Sequence, residues 1–133
     1  MKRRFLLDTN LWIGLANGET GLMAKFRAMD RSQIFSCSIV KAELMFGARK
    51  SQRVEANLTG FELLLEPFES APFDDAAAAH YGILRASLER AGKPIGANDM
   101  LIAAIALSRD LVLATRNTSE FSRVAGLRLE AWL

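Results

Sequence analysis

The apolar positions fall in blocks whose period switches between two and about three and a half residues, and the blocks read as strands followed by helices. Residues 4–7 form a short apolar run ending at Asp8-Thr9-Asn10, polar residues suited to cap a helix that carries Leu11, Trp12, Ile13, Leu15 and Ala16. A second helix is expected over residues 20–29, where Leu22, Met23, Phe26 and Met29 share one face, with Asp30 to Ser32 ending it. Residues 33–38 read as the second strand, and Ser38 is a candidate N-cap for a helix through Val40, Leu44 and Ala48. Residues 53–65 place Leu58, Phe61, Leu64 and Leu65 at helical spacing before Pro67, which makes a helical hairpin.

Residues 68–73 read as a short third strand, and Pro72 confines it to an edge or to a strand end. Asp74 and Asp75 open a long amphipathic helix with a stripe of Ala77, Tyr81, Leu84 and Leu88, stopped by Gly92, Pro94 and Gly96. Asn98 or Asp99 starts another helix, with Leu101, Ile102, Ile105, Ala106 and Leu107, and residues 111–114 are a continuous apolar strand. A helical turn from Phe121 and a final strand near residues 127–129 complete the pattern. Strands alternating with helices predict the α/β class, here a three-layer α/β/α domain around a central, mainly parallel sheet. The expected organisation is one domain over residues 1–133, a length that buries a sizeable core.

Composition narrows the chemistry. Half the residues are apolar and 24% are charged, the balance of a globular chain. Cys37 is the only cysteine, which excludes a disulfide framework and any multi-cysteine metal site. The longest strongly apolar stretch, residues 100–107, is too short for a membrane span. The run after Lys2, Arg3 and Arg4 is broken at Asp8 and Asn10, unlike a secretory signal, so a cytoplasmic location is expected. Net charge is only +2. Gathering several acids into one site would leave the rest of the surface distinctly basic, which suits a phosphate polymer.

In an open parallel sheet, ligands bind beyond the carboxyl ends of the strands, and four polar signals fall there. Asp8 follows the first strand, as a helix cap or as a ligand. Glu43 lies one turn into the helix after the second strand, either solvated or, beside the apolar face, in need of a cation. Asp99 opens the helix before the strand at 111–114, where it complements a helix N-terminus or joins a site. Thr115-Arg116-Asn117 and Glu120 follow that strand, as a polar turn or as the remaining wall. Carboxylates converging at strand ends require a divalent cation, and hard oxygen donors favour Mg²⁺ or Mn²⁺ over zinc. His80 is the only histidine, so a multi-histidine zinc site and catalysis by a histidine pair are both excluded. No G-x-x-x-x-G-K-[ST] run is present, and Asn10 stands where a D-x-D phosphatase signature needs its second aspartate.

The runs Leu6-Leu7-Asp8-Thr9-Asn10, Val40-Lys41-Ala42-Glu43-Leu44, Gly96-Ala97-Asn98-Asp99-Met100-Leu101-Ile102-Ala103 and Ala114-Thr115-Arg116-Asn117 resemble those of PIN-domain nucleases, above all the VapC-type toxins of toxin-antitoxin pairs. Phe46-Gly47-Ala48-Arg49-Lys50-Ser51, Gly92-Lys93-Pro94-Ile95-Gly96 and Gly126-Leu127-Arg128 extend the resemblance over nearly the whole chain. It implies an endoribonuclease with catalytic Asp8, Glu43, Asp99 and Glu120, in which Asp8 and Asp99 hold Mg²⁺ or, as a substitute, Mn²⁺. Many PIN domains carry aspartate at the position of Asn117, and here Glu120 becomes the fourth acid. Thr115 and Asn10 are implied as supporting residues, Asn10 by orienting Asp8 or a water.

The resemblance further implies that water attacks the phosphodiester, leaving a 5′-phosphate and a 3′-hydroxyl. The substrate class is structured RNA such as initiator tRNA, with Arg116, Arg49, Lys50 and Lys93 as candidate backbone contacts. A VapB-like antitoxin is the implied partner, and a homodimer that joins it in a hetero-oligomer the implied assembly. Trp12, Leu15, Phe46 and residues 63–65 are candidates for those interfaces. Two other readings fit the same motifs: a DNA nuclease, and a PIN-like binding module that acts with a DNA-binding partner and has little turnover.

Overall fold

The structure, a computed structural model, describes residues 2–132. Five strands, β1 (Phe5–Leu7), β2 (Ile34–Cys37), β3 (Glu69–Ala71), β4 (Val112–Thr115) and β5 (Leu129–Ala131), form one parallel sheet in the order β3-β2-β1-β4-β5. Every residue of β1, β2 and β4 is buried, so both faces of the sheet centre are covered, which is why these strands read as continuous apolar runs. The edge strands β3 and β5 are partly exposed and correspondingly mixed in composition. Pro72 follows β3 at once, at the sheet edge, where a missing amide proton costs no ladder bond. The architecture is the expected three-layer α/β/α arrangement.

The helices are α1 (Thr9–Ala16), α2 (Thr20–Arg27), α3 (Ser38–Arg49), α4 (Val54–Leu65), α5 (Asp75–Arg90), α6 (Ala97–Arg109) and the single turn α7 (Thr118–Phe121). Several ends differ from the sequence reading. Cys37, not Ser38, is the N-cap of α3, and the Ser38 hydroxyl instead accepts the Phe73 amide from the segment after β3. Gly96 caps α6, which places Asn98 and Asp99 inside the first turn. The last strand starts at Leu129 rather than near 127, because Gly126, at φ +80, turns the chain first.

Trp12, Leu15 and Leu65 belong to the core, not to an interface. The Trp12 indole N–H donates to the Leu7 carbonyl at 3.1 Å, and its ring packs against Phe26 and Phe68, tying α1 to α2 and to the approach to β3. Phe46 and Leu63 are exposed. Among the described residues no helix is long and apolar enough to cross a membrane.

Candidate active site

The connection after β1 leads to β2 on one side, and the one after β4 leads to β5 on the other, so the crevice of this sheet opens between the carboxyl ends of β1 and β4. Asp8 and Thr115 stand on its two sides. The Asp8 amide continues the ladder to the Ala114 carbonyl at 3.0 Å, and its extended backbone turns the chain into α1. One carboxylate oxygen accepts the Thr9 amide at 2.8 Å and the other accepts the Thr115 hydroxyl at 2.8 Å. Capping α1 therefore uses one carboxylate oxygen and leaves the other facing the crevice. Asp8 is almost completely buried, and burial pushes its carboxyl up while the bonds from Thr115 and Thr9 pull it down. Glu43 and Glu120 add repulsion that raises it further.

Glu43 reaches toward the same crevice from α3. Its carboxylate accepts the Thr9 hydroxyl at 2.5 Å and, more weakly, the Asn98 side-chain amide at 3.4 Å. Asp99, in the first turn of α6, is partly buried, and its carboxyl is pushed up to about 6 by burial and by the charges of Asp8, Glu120 and Glu43. Glu120 is held by two donors, the Asn117 side-chain amide at 2.9 Å and the Gly96 backbone N–H at 2.7 Å, which lower its carboxyl below the usual range. The Asn117 backbone N–H in turn donates to the Thr115 hydroxyl at 2.9 Å, which leaves that hydroxyl proton for Asp8. Asn117 and Glu120 are thus not rivals: the amide positions the acid.

Asp8, Glu43 and Asp99 take part in none of the ion pairs among the described residues. Three carboxylates that repel one another and lack a cationic side chain have the donor chemistry of a divalent-cation site. Among the described residues no three acidic, histidine or cysteine side chains close into a ready ligand cage. An open arrangement of one or two carboxylates, with water completing the shell, suits Mg²⁺ and not zinc. His80 lines a separate cleft on α5, and Cys37 is buried with its thiol pushed up to about 11, so neither adds a soft ligand here.

Two of the candidate backbone contacts, Lys50 and Lys93, line clefts. One, of about 580 Å³, is lined by Thr9, Asn10, Glu43, Phe46, Lys50 and Asn98 among others. The other, of about 560 Å³, is lined by Gly92, Lys93, Pro94, Ser119, Ser122 and Arg123. Lys50 thus shares a cleft with Glu43, whereas Lys93 lines a cleft that includes none of the four acids. Arg116 is instead paired with Glu19 at 2.5 Å, and Arg49 is exposed at the end of α3. Asn10 is exposed on the cleft wall, whereas Thr9 and Thr115 do the orienting of Asp8 expected of it. Sequence reasoning passed over Thr9, Gly96, Asn98 and Arg123. The first three lie inside the conspicuous motif runs, but only the folded chain shows which carboxylate each one serves.

The PIN domain family model matches residues 5–127. The tRNA(fMet)-specific endonuclease VapC of Shigella flexneri is 39% identical over 129 residues, covering 97% of this chain and 98% of the relative. Ribonuclease VapC2 of Haemophilus influenzae is 36% identical over 131 residues, with 98% of each chain covered. A chain in the crystal structure of DNA-bound VapBC from Salmonella typhimurium is similar at a TM-score of 0.93 and 38% identity, over 99% of this chain and 100% of that one.

Proposed function

This chain belongs to the VapC ribonucleases of the PIN-domain family, and from that premise we propose that it is a metal-dependent endoribonuclease toxin that cuts structured RNA, with initiator tRNA as its substrate. The observation that carries the reading is the buried Asp8 carboxylate, fixed by Thr115 across the crevice and lying in the field of Glu43 and Glu120. Asp8 and Asp99 would hold Mg²⁺, for which Mn²⁺ can substitute. When bound, the ion supplies an acidified water and neutralises charge developing on the phosphate.

The remaining work falls to the chain itself. Thr115 and the Thr9 amide hold the Asp8 oxygens in one orientation, so the ligand is set before substrate arrives. Thr9 and Asn98 hold Glu43 at the rim of the crevice, where its carboxylate orients the attacking water and accepts its proton. Asn117 and Gly96 keep Glu120 ionised, as the fourth acid of the site. Attack by water with cleavage of the bond to the 3′ oxygen leaves a 5′-phosphate and a 3′-hydroxyl. Lys50, in the cleft of Glu43, and Lys93 are the candidate cations that offset the charge of the RNA backbone.

A VapB-like antitoxin is the protein partner, in keeping with VapBC complexes among the similar structures. We assign the chain a cytoplasmic site of action, where tRNA is found, and an assembly of toxin dimers with antitoxin. The test is cleavage of total RNA by the purified chain, freed of antitoxin, in Mg²⁺ and in EDTA. Wild type is expected to release tRNA fragments in Mg²⁺ alone, and Asp8→Asn to be slower by about a hundredfold or more, the several kcal/mol that charge stabilisation by a site metal supplies. Wild type cutting no better than Asp8→Asn would sink the nuclease reading. Single-stranded DNA offered beside tRNA separates a ribonuclease from a DNA nuclease.

A further inference from the structure

Helix α3 buries Val40, Leu44 and Ala48 and needs no further apolar contact, yet Phe46 on the same helix stands 66% exposed. It lies three residues beyond Glu43, a rise of about 4.5 Å along the helix. Its ring lines the same cleft as Glu43, together with the Asn10 and Asn98 amides, and Lys50 Nζ stands 5.0 Å from the ring centroid. An aromatic face, the Asn10 amide and a cation thus border this cleft, over an apolar wall of Ile13, Ile39 and Ala42.

We propose that Phe46 is the stacking platform for an unpaired base beside the scissile phosphate of the RNA, with Lys50 meeting a neighbouring phosphate and Asn10 facing the base edge. This rests on the ribonuclease reading above and adds the residue that selects an unstacked nucleotide. A base matches the cleft because it brings a π-face and a hydrogen-bonding rim together. An apolar protein side chain docked on Phe46 would cover the Asn10 amide and the lysine without partnering either.

The test uses the full chain and initiator tRNA, with Phe46→Ala, Phe46→Leu and Phe46→Trp compared with wild type. Stacking predicts a rise in KM of about 5- to 100-fold for the alanine and leucine variants and near-wild-type behaviour for tryptophan, with melting temperatures unchanged. As a second readout, an anticodon stem-loop carrying 2-aminopurine at each loop position in turn is bound to cleavage-deficient Asp99→Asn protein. Quenching at one position that disappears on adding Phe46→Ala supports the proposal. Unchanged KM and unchanged quenching overturn it, as does a Phe46→Ala variant that binds RNA normally and loses only antitoxin affinity. If wild type cuts no RNA, the nuclease reading falls, while the quenching still decides whether Phe46 stacks a base.

Discussion

Asp99 shows what a cluster of like charges does to one member. Its carboxyl titrates near 6, because burial and the charges of Asp8, Glu120 and Glu43 all disfavour the ionised form. An unfolded aspartate titrates near 3.9, so between about pH 4 and pH 6 the folded chain binds more protons than the unfolded one. This group therefore lends most stability at the acid end of that window, and the contribution is lost as pH rises through it. Without metal, the melting temperature of wild type relative to Asp99→Asn should fall from about pH 5 to about pH 7, with the variant a few degrees the more stable at the upper end. Parallel curves for the two proteins in EDTA would contradict this. The residue type was plain from the sequence, since an aspartate opening an apolar helix is conspicuous. The perturbation was not, because it arises from acids 21 to 91 positions away in the chain. Asn117 shows the same gap: read alone it is a substituted ligand, but in place its amide donates to Glu120.

The helices carry these residues into place through a few close approaches. At Gly14 in α1, an added Cβ would come within 2.5 Å of both a Glu19 carboxylate oxygen and Leu22 Cδ1, and 3.0 Å from the Arg116 guanidinium. The buried Leu22 is the stiff neighbour. Gly14→Ala is thus expected to destabilise by about 1–3 kcal/mol through overpacking, read as a lowered urea midpoint, and to loosen the Glu19–Arg116 pair. A midpoint equal to wild type would show that α2 yields freely. Gly96 is close to the acids in the same way, since a Cβ there would stand 3.3 Å from an Asp99 carboxylate oxygen. The existence and type of most elements followed from apolar spacing, as in α5 with its stripe of Ala77, Leu84 and Leu88. Their ends did not. Ser38 has the composition of a cap, but its hydroxyl serves Phe73, a residue outside its own helix.

The sheet order makes one site out of distant motifs. Strands β1 and β4 are neighbours although more than a hundred residues separate them, and the Thr115–Asp8 bond crosses the gap between their ends. At a pH where the acids are ionised, a cation joining them would relieve their repulsion, so metal binding and folding are expected to be linked. Raising Mg²⁺ to about a hundred times its dissociation constant should add about 2.7 kcal/mol of stability, measured as a concentration-dependent rise in melting temperature. Asp8→Asn should abolish most of that rise. A wild-type melting temperature indifferent to Mg²⁺ would mean that the acids are held without the metal.

The amino-acid order alone determined the α/β class, the strand-helix alternation and the identity of the acids, because period and residue type are local properties that need no partner. It placed Asp8, Glu43, Asp99 and Glu120 near strand ends and helix starts, where their chemistry is usable. It did not separate cap from ligand at Asp8, since both roles ask for a carboxylate after a strand. Only the tertiary structure decided where the two Asp8 oxygens go, one toward the Thr9 amide and the other toward Thr115, because hydrogen bonding between β1 and β4 brings that hydroxyl within reach. The tertiary fold also brought four separate carboxylates into one electrostatic unit, a result of distance in space that no spacing along the chain encodes.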